Sequence, residues 1–279
     1  MREPNRNETR KRVARLRPMD DLFMRRLFKD DPRLTEQVLR IIMDMPDLRV
    51  SEVRTQHEID LRPIGVRSLC LDVLAEDSEG RLYNIEIQRD DRGAAPKRAR
   101  HNLSAIDAVS LKKGESVSEL PEVYVIFITE HDIYRAGEAV YLFEFRNVKT
   151  GEPFGDGAHI MYVNGEYRGA DPLGDLMHDF NCADPHRMRL SFMVEKTGYY
   201  KTNEEGVTEM CKLIDDYARE FAEEYAKEYA KEYAKEYAKD VVMNNALNMI
   251  KMGKFTHADI ALGLGIPMEE VTALAKSLS

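Results

Sequence analysis

Residues 69–88 read LCLDVLAEDSEGRLYNIEIQ, and they carry the most informative pattern in the chain. It predicts a β-hairpin, because the apolar run 69–75 is followed by turn-forming residues and then by an alternating run. Side chains alternate between the two faces of a strand, so Glu86 and Gln88 share a face. If the strands pair so that Asp72 lies on that face, two carboxylates and a carboxamide converge.

Converging carboxylates repel each other, and a divalent cation is the usual remedy. Ligand sets made only of oxygen favour Mg²⁺ or Mn²⁺, so the hairpin is typical of a metal-dependent phosphodiesterase. A half-buried hairpin also commonly carries a polar outer face without any function. Taken alone, the hairpin leaves both interpretations open.

The composition is that of a charge-rich chain with one substantial core. Its 279 residues are 43% hydrophobic and 33% charged, and no apolar run approaches the length of a membrane span. Nothing at the N-terminus resembles a secretory signal, so we expect no membrane partner. Three cysteines without a CxxC pair are typical of a reducing compartment and predict a cytoplasmic protein.

The net charge of −9 argues against general nucleic-acid binding, but the basic residues are clustered. Residues 1–17 hold seven basic residues against two acidic ones, and residues 89–113 hold seven against three. The second cluster directly follows Gln88, where a positive surface would suit a phosphate backbone. Residues 1–17 are equally well interpreted as a flexible solubilising tail.

The elements around the hairpin follow a definite order. Two amphipathic helices precede a strand over 53–61, the hairpin supplies two more strands, and Pro96 opens a basic helix. The continuous apolar run 123–128 then predicts a strand buried on both faces. The order is therefore helix, three strands, helix, strand.

The region from residue 205 onward has a different composition. Four tandem Glu-Tyr-Ala-Lys repeats over 224–239 predict a long exposed helix. A four-residue repeat drifts by about 40° per repeat, so a helix that docks on itself or on a partner fits better than a regular coiled coil. Residues 246–279 predict a helical hairpin with a helix-turn-helix outline, whose acidic Glu269 and Glu270 favour a structural role over DNA reading.

The order of elements, with Asp72 on the second strand and Glu86-x-Gln88 on the third, resembles the PD-(D/E)XK nuclease superfamily. Within it the chain is similar to the recombination-promoting nucleases, also called PD-(D/E)XK family transposases. Asp21-Leu-Phe and the strand beginning at Tyr124 support the similarity, which covers about residues 18–200. It implies an α/β fold with a restriction-endonuclease-like core and a helical C-terminal extension.

The resemblance also implies a function, namely a metal-dependent DNA endonuclease associated with transposition or recombination. Asp72, Glu86 and the Ile87 carbonyl would hold Mg²⁺ or Mn²⁺, with Gln88 as the third catalytic residue. Gln88 stands where the superfamily usually has lysine, a variant known in this group. Leu71 replaces the proline before the aspartate, which leaves the chemistry of the aspartate intact.

Three further residues receive roles from the resemblance. Glu36 matches an accessory acid on the first helix, and Arg98 and Arg100 would bind phosphate. His178, Cys182 and His186 are evenly spaced, but Pro185 interrupts a helix that would align them, which argues against zinc.

The segments follow from these patterns. We expect a basic flexible tail at 1–17, a nuclease-like domain at 18–204, a long charged helix at 205–245 and a helical hairpin at 246–279. Cutting both DNA strands would need two sites, which a homodimer would supply. The alternative function is a catalytically degenerate nuclease fold that serves as a nucleic-acid-binding or protein-interaction module.

Overall fold

A computed structural model describes residues 6–60 and 68–277, apart from the side chains of residues 6, 7, 91 and 224. The chain forms two compact units, which divide between Ile214 and Asp215. None of the helices within the described ranges combines the length and the apolarity that a membrane crossing requires.

The first unit contains a six-stranded sheet and most of the helices. Its strands are β1 (Val50–Ile59), β2 (Leu69–Asp77), β3 (Leu82–Gln88), β4 (Val123–Thr129), β5 (Val140–Glu144) and β6 (Ala158–Asn164). Its helices are α1 (Arg6–Arg15), α2 (Asp21–Phe28), α3 (Pro32–Ile42), α4 (Pro96–Ser110), α5 (Pro172–Phe180) and α6 (Ser191–Thr202).

The sheet order is β1-β2-β3-β4-β6-β5. The hairpin pairs β2 with β3 in antiparallel fashion, and β3, β4 and β6 run parallel to one another. This mixed sheet with flanking helices confirms the expected restriction-endonuclease-like α/β fold. Strand β1 begins three residues earlier than the sequence predicted, and the predicted end at residue 61 lies outside the described residues.

Helices cover both faces of the sheet. One face packs against α1, α2, α3, α5 and α6 through buried residues such as Val73, Ile85 and Ile126. The other face packs against α4 through Val125 and Phe127. Strands β3 and β4 are buried on both sides, which explains their nearly continuous apolar sequences.

The N-terminal segment differs from the flexible tail that its charge suggested. Residues 6–15 form α1, and Val13 is only 1% exposed within the hydrophobic core. The signal for this helix in the sequence is weak, because its buried side consists of few residues. Two of them, Thr9 and Val13, lie one helical turn apart.

The long helix α7 (Glu204–Met252) begins in the first unit and includes all the Glu-Tyr-Ala-Lys repeats. The repeat tyrosines Tyr225, Tyr229, Tyr233 and Tyr237 are 61–64% exposed. In the second unit, α8 (His257–Leu264) and α9 (Met268–Lys276) join the end of α7 around Ala246, Ile260 and Val271. Gly265 turns the chain between α8 and α9 with a φ of 66°, a conformation that favours glycine.

Candidate active site

The β2–β3 hairpin brings Asp72 and Glu86 together. Its register places Val73 opposite Ile85, and continuing it by one residue places Asp72 opposite Glu86. At this point, carboxylate side chains accept hydrogen bonds from the backbone of the opposite strand. The Asp72 N–H donates to Glu86 Oε1 at 3.3 Å, and the Ile87 N–H donates to Asp72 Oδ2 at 3.3 Å. The two carboxylates therefore converge where the paired part of the hairpin ends.

The Glu86 carboxyl group is fully buried and that of Asp72 is half-buried, and each lies close to another acidic side chain. The Glu86 side chain is 0% exposed, and its burial together with the charge of Asp72 raises its pKa to about 7. Burial and the charge of Asp21 raise the pKa of Asp72. Buried like charges with raised pKa values are typical of functional sites.

Polar side chains from α4 and β3 hold the Glu86 carboxylate in place. Arg98 Nη2 donates to Glu86 Oε2 at 3.0 Å, and Asn84 Nδ2 donates to Glu86 Oε1 at 3.0 Å. Asn102 Nδ2 in turn donates to Asn84 Oδ1 at 3.0 Å, and both asparagines are fully buried. Sequence reasoning missed Asn102, although its position four residues after Arg98 places both on one face of the helix.

Gln88 lies beside a tight turn that precedes α4. A Cβ added to Gly93 would lie 2.1 Å from Gln88 Oε1, so the glutamine amide packs directly against the glycine. Arg98 Nη1 donates to the Gly93 carbonyl at 3.2 Å, which ties the same turn to the helix. Gln88 is half-buried and lies on the same face of β3 as Glu86.

The structure separates Arg100 from Arg98. Two residues along a helix lie about 200° apart, so Arg98 faces the sheet while Arg100 faces outward. Arg98 is 38% exposed beside Glu86, and Arg100 lies on the exposed surface of α4.

Glu36 lies away from the two carboxylates. Its Oε2 accepts the N–H of Val50 at 3.1 Å, and its Oε1 pairs with Arg49. Val50 lies opposite Asp77, five residues along β2 from Asp72, which is about 16 Å of strand. Glu36 therefore secures the start of β1, and the structure does not bring it to the site.

Asp21, unlike Glu36, lies near Asp72. It lies in the first turn of α2, where its charge raises the pKa of Asp72. Arg25 Nε donates to Asp21 Oδ1 at 2.9 Å, and the charge of Arg25 opposes the rise in the pKa of Asp72. The sequence signal for this residue is the Asp21-Leu-Phe segment, which supports the family resemblance but by itself gives Asp21 no role in the site.

Gln56 approaches Asp72 from β1. Its Nε2 donates to Asp72 Oδ1 at 3.4 Å, and its backbone has a φ of 50° within the strand. A left-handed conformation in a residue other than glycine is costly and is often found at functional sites. This strained residue was not recognised from the sequence.

Comparison with known sequence families assigns the chain to one of them. The sequence model of a family described as PD-(D/E)XK nuclease family transposase matches residues 18–166, which is more than half of the chain. The chain belongs to this family. Searches of curated proteins and of solved structures found no match. The matched range of this PD-(D/E)XK family member contains Asp21, Asp72, Glu86, Gln88 and Arg98.

Membership of the family supports a nuclease associated with transposition, and PD-(D/E)XK nucleases generally use divalent metals. The described residues contain no group of three His, Cys, Asp or Glu side chains arranged for a metal ion. Asp72 and Glu86 nevertheless fit a hard cation, because both offer carboxylate oxygens at one buried point. The N–H of Ile87 points toward Asp72, and the carbonyl of the same strand residue points to the same edge.

Proposed function

We propose that this PD-(D/E)XK family member is a metal-dependent DNA endonuclease that acts in transposition or recombination. The supporting observation is the contact between Asp72 and Glu86 at the end of the paired hairpin. A fully buried carboxylate beside a half-buried one destabilises a fold unless a cation shares them. Such a cost is usual where a site binds a metal ion.

The ligands for the cation would be Asp72, Glu86 and the Ile87 carbonyl. This set contains only oxygen atoms, which favours Mg²⁺ or Mn²⁺ over softer metals. When bound, the ion would supply a Lewis acid that lowers the pKa of water and balances the charge of the phosphate.

The remaining chemistry belongs to the side chains around the carboxylates. The Gln88 amide can hold a water molecule by hydrogen bonds, and its packing against Gly93 fixes the direction of that amide. The Arg98 guanidinium is partly exposed beside Glu86, so it can contact a phosphate oxygen while it stays paired with the carboxylate. Arg100 is exposed on the outer side of α4, where it would contact the DNA backbone farther from the scissile bond.

The proposal extends to the setting of the reaction. The partner is DNA, and cutting both strands of a duplex would require two sites, which a homodimer would provide. Three free cysteines among the described residues suit a reducing, cytoplasmic location.

Nicking of supercoiled plasmid DNA tests the proposal. We expect the wild-type protein to nick in Mg²⁺ or Mn²⁺ and not in EDTA. Asp72→Asn and Glu86→Gln, which keep the side-chain shapes, should lower the rate by at least 100-fold. Equal rates in all three proteins would refute the proposal. DNA binding without cleavage by the wild-type protein in either metal would favour the degenerate, binding-only alternative.

A further inference from the structure

Helix α1 is anchored to the first unit along one side. Val13 and Thr9 are buried, and the Lys201 ammonium donates to the backbone carbonyls of Ala14, at 3.1 Å, and Leu16. These carbonyls lie at the C-terminal end of α1, where a cation is favourable. The helix therefore presents a fixed outer surface.

That outer surface is strongly basic. Arg10, Lys11, Arg12 and Arg15 are all exposed, and none of them forms an ion pair with another residue that the structure describes. Many other arginines of the first unit do pair, for example Arg25 with Asp21 and Arg89 with Asp20. The chain as a whole has a net negative charge, but four unpaired cations lie on this short helix. They therefore create a local positive potential.

The helical geometry arranges these cations around the exposed half of α1. At 100° per residue, Lys11 and Arg15 point away from the buried Val13, and Arg10 and Arg12 lie on the two flanks. From residue 10 to residue 15 these cations span about 7.5 Å along the helix axis, which equals the axial rise of about two phosphates along one strand of DNA. The spacing suits contact with a phosphate backbone.

A cluster of ion pairs links the end of α1 to the candidate active site. Arg17 pairs with Asp20 at 3.2 Å and with Glu130 at 2.8 Å. Arg89, the residue after Gln88, pairs with the same two acids at 3.0 and 2.9 Å. The C-terminal end of α1 therefore lies at the same end of the sheet as the two carboxylates.

We propose that Arg10, Lys11, Arg12 and Arg15 form a phosphate track, which binds the DNA backbone as it leads to Asp72 and Glu86. This inference rests on the proposed nuclease function and adds a binding surface in the helical layer opposite α4. The track contacts phosphates only, so it contributes affinity without sequence preference.

The test compares two variants with the same loss of charge. The track variant carries Arg10→Gln, Lys11→Gln, Arg12→Gln and Arg15→Gln. The control variant carries four substitutions at exposed basic residues elsewhere in the first unit, namely Lys29→Gln, Arg33→Gln, Arg135→Gln and Lys149→Gln.

The measurement is the dissociation constant of a labelled 24-base-pair duplex, and of one of its single strands, between 50 and 250 mM salt. EDTA is present throughout, so binding is recorded without cleavage. We expect the track variant to bind duplex at least tenfold more weakly at 150 mM salt, with a salt slope shallower by about 3. The control variant should lie within about twofold of wild type. The single strand, with lower charge density, should show a smaller change in slope.

Three outcomes would overturn the track. In the first, both variants bind DNA as wild type does, and in the second both lose the same affinity. In the third, the track variant loses binding to anionic phosphatidylglycerol vesicles but keeps its DNA affinity, which would assign the helix to a lipid surface. Weaker DNA binding by the track variant alone supports the track even if plasmid nicking fails. Failure of the nuclease proposal is therefore distinguishable from failure of the track.

Discussion

Glu86 accepts the backbone N–H of Asp72 at 3.3 Å, so the two acids meet through a bond that in a regular hairpin would join two backbones. At this point the hairpin has hydrogen bonds between backbone and side chain, which hold the buried Glu86 carboxylate beside the half-buried Asp72 carboxylate. A site of this kind should be less stable than a neutral equivalent when no cation is bound.

Glu86→Gln should stabilise the metal-free protein. Burial and the Asp72 charge raise the pKa of Glu86 to about 7, so ionising it at pH 8 costs free energy in the folded state. We expect the variant to gain about 1–3 kcal/mol in the free energy of unfolding at pH 8, measured by urea titration in EDTA.

The sign of the pH dependence follows from the raised pKa. The contribution of Glu86 to stability is intact below its unfolded pKa of about 4.3 and is lost as the pH rises through about 7. The difference between wild type and variant should therefore shrink toward zero near pH 4.5. A variant that is less stable than wild type at pH 8 would show that Arg98 and Asn84 outweigh the repulsion.

Asp21, and not Glu36, should govern cation binding. Asp21 lies close enough to raise the pKa of Asp72, whereas Glu36 secures the start of β1. We expect Asp21→Asn to weaken Mn²⁺ binding by about tenfold in calorimetry, since neighbouring carboxylates tune metal affinity. Glu36→Gln serves as the matched control and should leave the affinity unchanged. The reverse pattern would restore the original assignment of Glu36.

Gly93→Ala should displace Gln88 with little effect on the fold. The new Cβ would lie 2.1 Å from Gln88 Oε1, and the flexible end of that side chain can move away. We expect plasmid nicking to fall at least tenfold, as for Gln88→Ala, while the free energy of unfolding changes by less than about 1 kcal/mol. Gly198→Ala, at an uncrowded position in α6, is the control. Full activity in Gly93→Ala would mean that the orientation of Gln88 is not critical.

Asn102→Ala should reduce both stability and cleavage. It leaves Asn84 Oδ1 without its donor in a buried site, which costs about 1–3 kcal/mol, and it frees Asn84 to turn away from Glu86. Asn164→Ala is matched to it, because Asn164 is also buried and bonded but supports the loop before β5. If the two variants lose stability equally, only Asn102→Ala should also lose nicking activity. Equal activity in both would limit Asn102 to a structural role.

Asp77 should make the hairpin sensitive to acid. Burial alone would raise the pKa of Asp77, but hydrogen bonds from Arg81, Tyr83 and Glu79 lower it overall. Its stabilising contribution is present above the unfolded pKa of about 3.9 and is lost as the pH falls through the lower folded value. Asp77→Asn should cost about 1–3 kcal/mol at pH 7, with a smaller difference from wild type below pH 3.

The control for this prediction is Glu79→Gln, at an exposed position in the same turn. It should change the free energy of unfolding little at any pH between 2.5 and 7. An unchanged gap between wild type and Asp77→Asn over that range would show that the Asp77 charge does not matter.

The hairpin and the order of the elements could be predicted from the sequence, whereas the register of the hairpin came from the structure, which places Val73 opposite Ile85. Alternation with period two, turn residues at 77–80 and a buried run at 123–128 are local signals, and the faces of a strand follow from them directly. For the same reason, the convergence of Asp72 and Glu86 could be predicted from adjacent segments, on the condition that the two strands pair with these faces together.

The distant residues that surround this pair of acids could not be predicted, because they depend on the packing of the helices and on the order of the strands. Asp21, Gln56 and Asn102 lie on three different elements, and their distances to the carboxylates depend on helix packing that no local pattern records. The position of Glu36 could not be predicted for the same reason. An acidic residue on a helix near the start of the domain can lie at either end of a neighbouring strand. The position of helix α1 could not be predicted either, because it is held in part by Lys201, which lies 187 residues from its partner Ala14 in the sequence.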